Sequence, residues 1–214
     1  MTLKKPPLDE VALAALQGLI ARKLKGTIAP RPDVDRTRHV GAVLADAVLQ
    51  AGMNYRAFVE PRVTRVERNY PTAASVSGLL ELLRTHDART VLNCAHRRKC
   101  RTFGELAQLL AVEGVESAED LRGWLQGAGA RAKLMAVHGV AVKTAAYLRL
   151  LVGLESIAID VHLRRAAEEV GVHGADEELE DLFSEAARRA GASLSKLDAA
   201  LWELGSNGAR RPVS

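Results

Sequence analysis

Cysteine is nearly absent from this 214-residue chain, which carries only Cys94 and Cys100. Two neighbouring thiols cannot staple a small secreted domain, so a reduced compartment is the simpler reading. Long apolar runs are missing as well. No stretch reaches the roughly 18 residues that a bilayer-spanning helix needs, which predicts a soluble globular protein with no membrane partner. Behind the charges of Met1-Thr2-Leu3-Lys4-Lys5 stand Pro6 and Pro7 rather than an apolar signal core, so a cytoplasmic location is expected. There is no alternating strand pattern, no repeat of fixed period and no low-complexity tract.

What is present fits helices. Hydrophobic residues make up 48% of the chain, enough for one good core or two small ones. A formal charge of +4 and a pI near 9.3 suit a polyanionic partner without establishing one. Residues 9 to 25 place Val11, Leu13, Leu16, Ile20 and Leu24 at helical spacing and end in Lys25-Gly26. Residues 27 to 35, with Pro30 and Pro32, read as a linker and a candidate domain crossing. Val40, Val43, Leu44, Ala47 and Val48 form one stripe of a helix running from Arg36 to Ala51-Gly52.

Further helices follow from their start signals. Thr72 is the expected cap of a helix burying Val76, Leu79, Leu80 and Leu83. Thr102-Phe103-Gly104-Glu105 reads as a capping box ahead of Leu106, Leu109 and Leu110, and Ser117-Ala118-Glu119-Asp120 as another ahead of Leu121, Trp124 and Leu125. Helices are also expected over residues 161 to 170, 176 to 190 and 195 to 204, the last opened by an approximate box at Ser195-Lys196-Leu197-Asp198. Residues 208 to 212 should fray.

The segment from Asn93 to Arg101 is dense in cations, with Arg97, Arg98, Lys99 and Arg101 within five positions. Arg97, Arg98 and Lys99 are candidates for binding phosphates, and plain solvated surface is the alternative. Cys94, His96 and Cys100 lack the spacing of a zinc site, so no metal is expected and buried thiols are the better reading.

The most informative stretch is Leu134 to Leu163. It reads as a helix, a tight turn at Gly139, a second helix opening at Lys143, and an apolar approach, Ile157-Ala158-Ile159, to Asp160 at the head of a third helix. The backbone N–H groups of Val140, Ala141, Val142 and Lys143 would point at whatever lies in front of the second helix. Such a terminus carries roughly half a positive charge, which suits a phosphate. The same dipole disfavours an ammonium at Lys143, favouring the neutral amine that a nucleophile requires. Asp160 as an N-cap would stabilise its helix by about 1 kcal/mol, and capping fixes the rotamer that acid–base work needs.

Val137-His138-Gly139-Val140-Ala141-Val142-Lys143-Thr144-Ala145 and Ile157-Ala158-Ile159-Asp160-Val161-His162 resemble the helix-hairpin-helix, Gly/Pro-Asp superfamily of DNA glycosylases, most closely its endonuclease III-like branch. The likeness is specific over about thirty residues and architectural elsewhere. Relatives usually carry proline where His138 stands and glycine where Ala141 stands. His138 therefore either contacts phosphate or replaces that proline. Residues 191 to 214 contain no cysteine, so the iron-sulfur cluster of many relatives is not expected, nor any other cofactor.

The resemblance implies an all-α protein of two helical domains, residues 36 to 156 and residues 1 to 35 with 157 to 214, with the active site in the cleft between them. It implies base-excision repair of double-stranded DNA bearing a damaged base, an oxidised pyrimidine first, or an abasic site. Lys143 would be the Schiff-base nucleophile and Asp160 the catalytic carboxylate. Gln50 or Asn54 would fill the gap left by the extruded base, the alternative being a surface residue and an N-cap. The protein would act as a monomer near the nucleoid. The rival readings are an 8-oxoguanine-type enzyme of the same superfamily, a non-catalytic hairpin module that only binds DNA, and a helical adaptor.

Overall fold

A computed structural model describes residues 9–23, 38–198 and 200–201. The proline-bearing linker and the frayed carboxyl end expected from the sequence lie outside the described residues, as do Lys25 and Gly26. Among the described residues the chain is helical, without a strand. The described residues fall into two compact units, one within residues 34–154 and one within residues 1–33 and 155–214.

The smaller unit begins with α1 (Glu10–Lys23). The larger unit holds α2 (Val40–Leu49), α3 (Glu60–Asn69), α4 (Val76–Thr85), α5 (Ala88–Leu92), α6 (Arg97–Val112), α7 (Ala118–Gln126), α8 (Ala130–Ala136) and α9 (Val142–Leu151). The chain then returns to the smaller unit with α10 (Val161–Glu168), α11 (Asp176–Arg189) and a last helical stretch at residues 194–198.

All ten residues of α2 are buried, which makes it the axle of the larger unit. Its start is fixed by His39, whose Nδ1 accepts from Ala42 N at 3.0 Å, with Nε2 3.1 Å from the Tyr70 carbonyl. Around it pack Val63 and Val66 of α3, Leu79 of α4, Phe103 and Leu106 of α6, and Leu148 of α9. The smaller unit has its own core of Leu13, Leu16 and Ile20 with Ile157, Leu163, Phe183 and Leu197. Arg189 joins α11 to α1 through a fork onto Glu10 at 2.7 and 3.0 Å.

Three expected starts move. The residue that caps α4 is Ser75, whose Oγ accepts from Gly78 N at 3.1 Å, because Pro71–Ala74 forms a short turn of its own. Thr102 and Glu105 lie inside α6 rather than ahead of it. The last helix is capped by Ser193, whose Oγ accepts from Lys196 N at 3.2 Å, not by Ser195. The box at Ser117 is present, with Asp120 and Ser117 bonded reciprocally.

Candidate functional site

The hairpin is a glycine turn between α8 and α9. Gly139 has φ +88, a left-handed conformation that side chains avoid, and a Cβ built there would lie 2.4 Å from Thr102 Oγ1 and 3.5 Å from Arg98 Nε. Ala141 has φ −117 and needs no glycine. The turn is pinned to α6 from both sides of its backbone. Thr102 Oγ1 lies 2.7 Å from the His138 carbonyl, to which it donates, and Glu105 Oε2 accepts from His138 N at 3.2 Å. Arg101 beside Glu105 holds that carboxyl below the usual carboxylate range, and the His138 N–H lowers it further. His138 itself is exposed.

Not every expected amide is available. Val140 N donates back to the Val137 carbonyl at 3.1 Å, closing the turn, and both Val140 and Val142 bury their side chains in the core. α9 has no side-chain cap, so the first-turn N–H groups of Val142, Lys143 and Thr144 have no partner within their own helix. Lys143 is its second residue and is half-buried.

The basic cluster splits. Arg97 and Arg98 are exposed, and Arg98 Nε is the atom beside the Gly139 turn. Lys99 departs from its expected role as a phosphate ligand. It is buried, and its Nζ donates to the carbonyls of Val48, Leu49 and Ala51 at 2.9, 3.1 and 2.8 Å, closing the carboxyl end of α2. Burial pushes the Lys99 ammonium's pKa below the ordinary lysine value; Cys94 opposes this and the Lys143 charge adds to it. Cys94 and Cys100 are buried free thiols, and the Cys100 Sγ donates to the Cys94 carbonyl at 3.2 Å.

The loop after α2 separates the two amide candidates. Asn54 Oδ1 accepts from Ala57 N at 2.9 Å as a helix cap, whereas the buried Nε2 of Gln50 has no hydrogen-bond partner. Trp124 packs against the core and donates to Glu113 Oε2 at 2.9 Å.

In the smaller unit, Ile157, Ala158 and Ile159 are buried as their apolar character requires, and Asp160 caps α10. His162 N and Leu163 N both donate to Asp160 Oδ1, at 2.9 and 3.0 Å, so capping engages one carboxylate oxygen. The approach is fixed by Asp198, whose Oδ1 accepts from Ala158 N at 3.1 Å. Glu155 adds bonds from Ser193 Oγ and Ser195 N at 2.9 and 3.2 Å. Thr102, Glu105 and Asp198, which read as parts of caps in the sequence, instead bond the hairpin turn and the approach to Asp160.

No known protein family and no curated protein matches this sequence. Among solved structures, the chain is similar to the 8-oxoguanine DNA glycosylase of Thermotoga maritima. The two share 16% identity at a TM-score of 0.52, over 91% of this chain and 88% of that one. At that identity the likeness establishes the fold: the chain shares the all-α architecture of that structure.

Proposed function

We propose that the protein is a base-excision DNA glycosylase with a lyase step, in which Lys143 is the nucleophile and Asp160 the catalytic carboxylate. The observation that carries this reading is Lys143, half-buried as the second residue of an uncapped helix directly after a glycine turn. The glycosylase fold supports it.

Phosphate would be held by the N–H groups that open α9, with Arg98 beside the turn and Arg97 next to it on α6. This grip reads no sequence and sets the strand in register. The damaged nucleotide leaves the stack, and Gln50, with its unpaired amide nitrogen, fills the gap in preference to Asn54. The Lys143 lone pair then bonds to the deoxyribose C1′ while the glycosidic bond breaks and its electron pair leaves with the base. Asp160 stabilises the positive charge that develops on the sugar and takes the proton that Nζ gives up. The C1′–O4′ bond then opens as the nitrogen lone pair forms the imine, and O4′ keeps the bond's electron pair and takes up a proton, which leaves a Schiff base. Removal of a C2′ proton sends electrons into the imine, and the 3′ phosphate departs.

Two lesion classes fit this chemistry. The hairpin's resemblance to the endonuclease III-like branch favours oxidised pyrimidines, and the solved structural neighbour, an 8-oxoguanine enzyme, favours oxidised guanine. Incubating the protein with duplexes carrying thymine glycol, 8-oxoguanine, uracil or an abasic site, then resolving strands with and without alkali, separates them. Cleavage of one lesion duplex without alkali supports the bifunctional reading. Cleavage only after alkali reduces it to base removal alone, and binding without cleavage of any duplex leaves a hairpin module.

A further inference from the structure

α2 reads Val-Gly-Ala-Val-Leu-Ala-Asp-Ala-Val-Leu, a decamer with one acid, and Asp46 is 0% exposed. Burying a carboxyl group is unfavourable unless hydrogen bonds replace its water. An apolar residue would fill the same place in the core without that cost, so stability alone does not account for an acid here. Its partners do. Tyr147 donates its hydroxyl to Asp46 Oδ1 at 3.1 Å, and Tyr55 donates to Oδ2 at 2.9 Å.

Each tyrosine marks a different part of the candidate site. Tyr147 follows Lys143 by four positions on α9, which puts the two on one helix face a turn apart. Tyr55 is the first residue after the loop from Gln50 to Asn54. The near end of that loop is already tied to the same acid, since Gln50 N donates to the Asp46 carbonyl at 3.1 Å. Both ends of the loop and the helix bearing the amine therefore converge on one residue.

We propose that Asp46 is a positioning residue that fixes α9 and the loop from Gln50 to Asn54 in one register, through Tyr147 and Tyr55. The inference rests on Lys143 being the nucleophile. It goes further in making strand-gap filling and nucleophile placement mechanically coupled. A hydroxyl lost at either tyrosine frees one partner, and a small displacement of a reacting group is enough to slow chemistry severely.

The test is a set of full-length variants, Tyr147→Phe, Tyr55→Phe, the double tyrosine variant, Asp46→Asn and Asp46→Asn with Tyr147→Phe, assayed with an abasic-site duplex and borohydride in single turnover below their melting temperatures. Tyr147→Phe should lower the maximal trapping rate about tenfold with the half-saturating DNA concentration unchanged. Tyr55→Phe should act mainly on the half-saturating concentration. The double tyrosine variant should be less impaired than the product of the two single effects, since both act through one carboxyl group. Tyr147→Phe added to Asp46→Asn should cost less than Tyr147→Phe alone. The phenylalanine variants keep the ring in the core, so they answer the question even if Asp46→Asn does not fold. Wild-type rates in all folded variants, with losses confined to melting temperature, would overturn the inference alone. Failure of the wild-type protein itself to trap DNA would overturn the nucleophile assignment and this inference with it.

Discussion

The Thr102 hydroxyl reaches the His138 carbonyl oxygen at 2.7 Å, binding the middle of α6 to the hairpin turn across 36 positions of sequence. The same hydroxyl lies 2.9 Å from the Arg98 carbonyl one turn back, so the contact to the hairpin is the shorter of two. Gly139 is the neighbour that makes room, because a Cβ there would collide with this oxygen.

Thr102→Val keeps the shape of that side chain and removes the donor. The His138 carbonyl is at an exposed residue and can turn to water, so the stability loss should be near 1 kcal/mol. The hairpin should loosen, and affinity for an abasic-site duplex should fall about fivefold, the equivalent of the same energy. Fluorescence anisotropy against thermal denaturation checks the two numbers together; a stability loss with unaltered affinity would mean the turn does not grip DNA.

Arg98 and Lys99, adjacent in sequence, should behave differently in salt. Arg98 is exposed beside the turn, so Arg98→Ala should reduce the slope of log affinity against log salt by about one. Lys99 is engaged with three carbonyls, so Lys99→Met should leave that slope alone and cost about 2 kcal/mol of stability instead. A salt titration of both variants distinguishes phosphate contact from structural support. Equal slope changes would contradict the division.

How far the sequence reveals this arrangement depends on the range of the interaction. Asp160 as a cap is legible because its partners, His162 N and Leu163 N, are two and three residues away. The apolar period that buries α2 is likewise local. Lys99 is not legible, since its partners lie 48 to 51 residues upstream and nothing in a run of cations says which one turns inward.

The Thr102 and Ser195 boxes mislead for a definite reason. Residues three apart form a capping box at a helix start, and also lie on one face of a continuing helix. In both cases the acid serves a distant site segment: Glu105 receives His138 N and Asp198 receives Ala158 N. Asp46 did leave a signal, as the lone acid in an apolar helix, but its two tyrosine partners are set by tertiary packing.

Asp160→Asn should separate capping from chemistry. Asparagine caps helices as well as aspartate does, so stability should change by less than about 0.5 kcal/mol. Base removal should fall on the order of 100-fold or more, because a neutral amide neither stabilises cationic charge nor accepts the proton. Single-turnover excision alongside melting temperature measures both; retention of full activity would remove Asp160 from the reaction.

Cys100 should resist alkylation in the folded protein. Burial, reinforced by Cys94, pushes its thiol from 9.0 up to about 11. A folded value above the unfolded one means that its contribution to stability is fully present below pH 9 and is lost as pH rises from 9 toward 11. Iodoacetamide at pH 8 should modify Cys100 only after denaturant is added, as peptide mass mapping would report, and rapid labelling of native protein would contradict its burial.

The most direct measurement is borohydride trapping of the wild-type protein and Lys143→Ala on abasic-site DNA. The expected result is a covalent protein–DNA adduct with the wild-type protein, mapped by mass spectrometry to Lys143, and none with the alanine variant. An adduct of equal yield in Lys143→Ala, or no adduct with wild-type protein that binds the duplex, would contradict the assignment of Lys143 as the nucleophile.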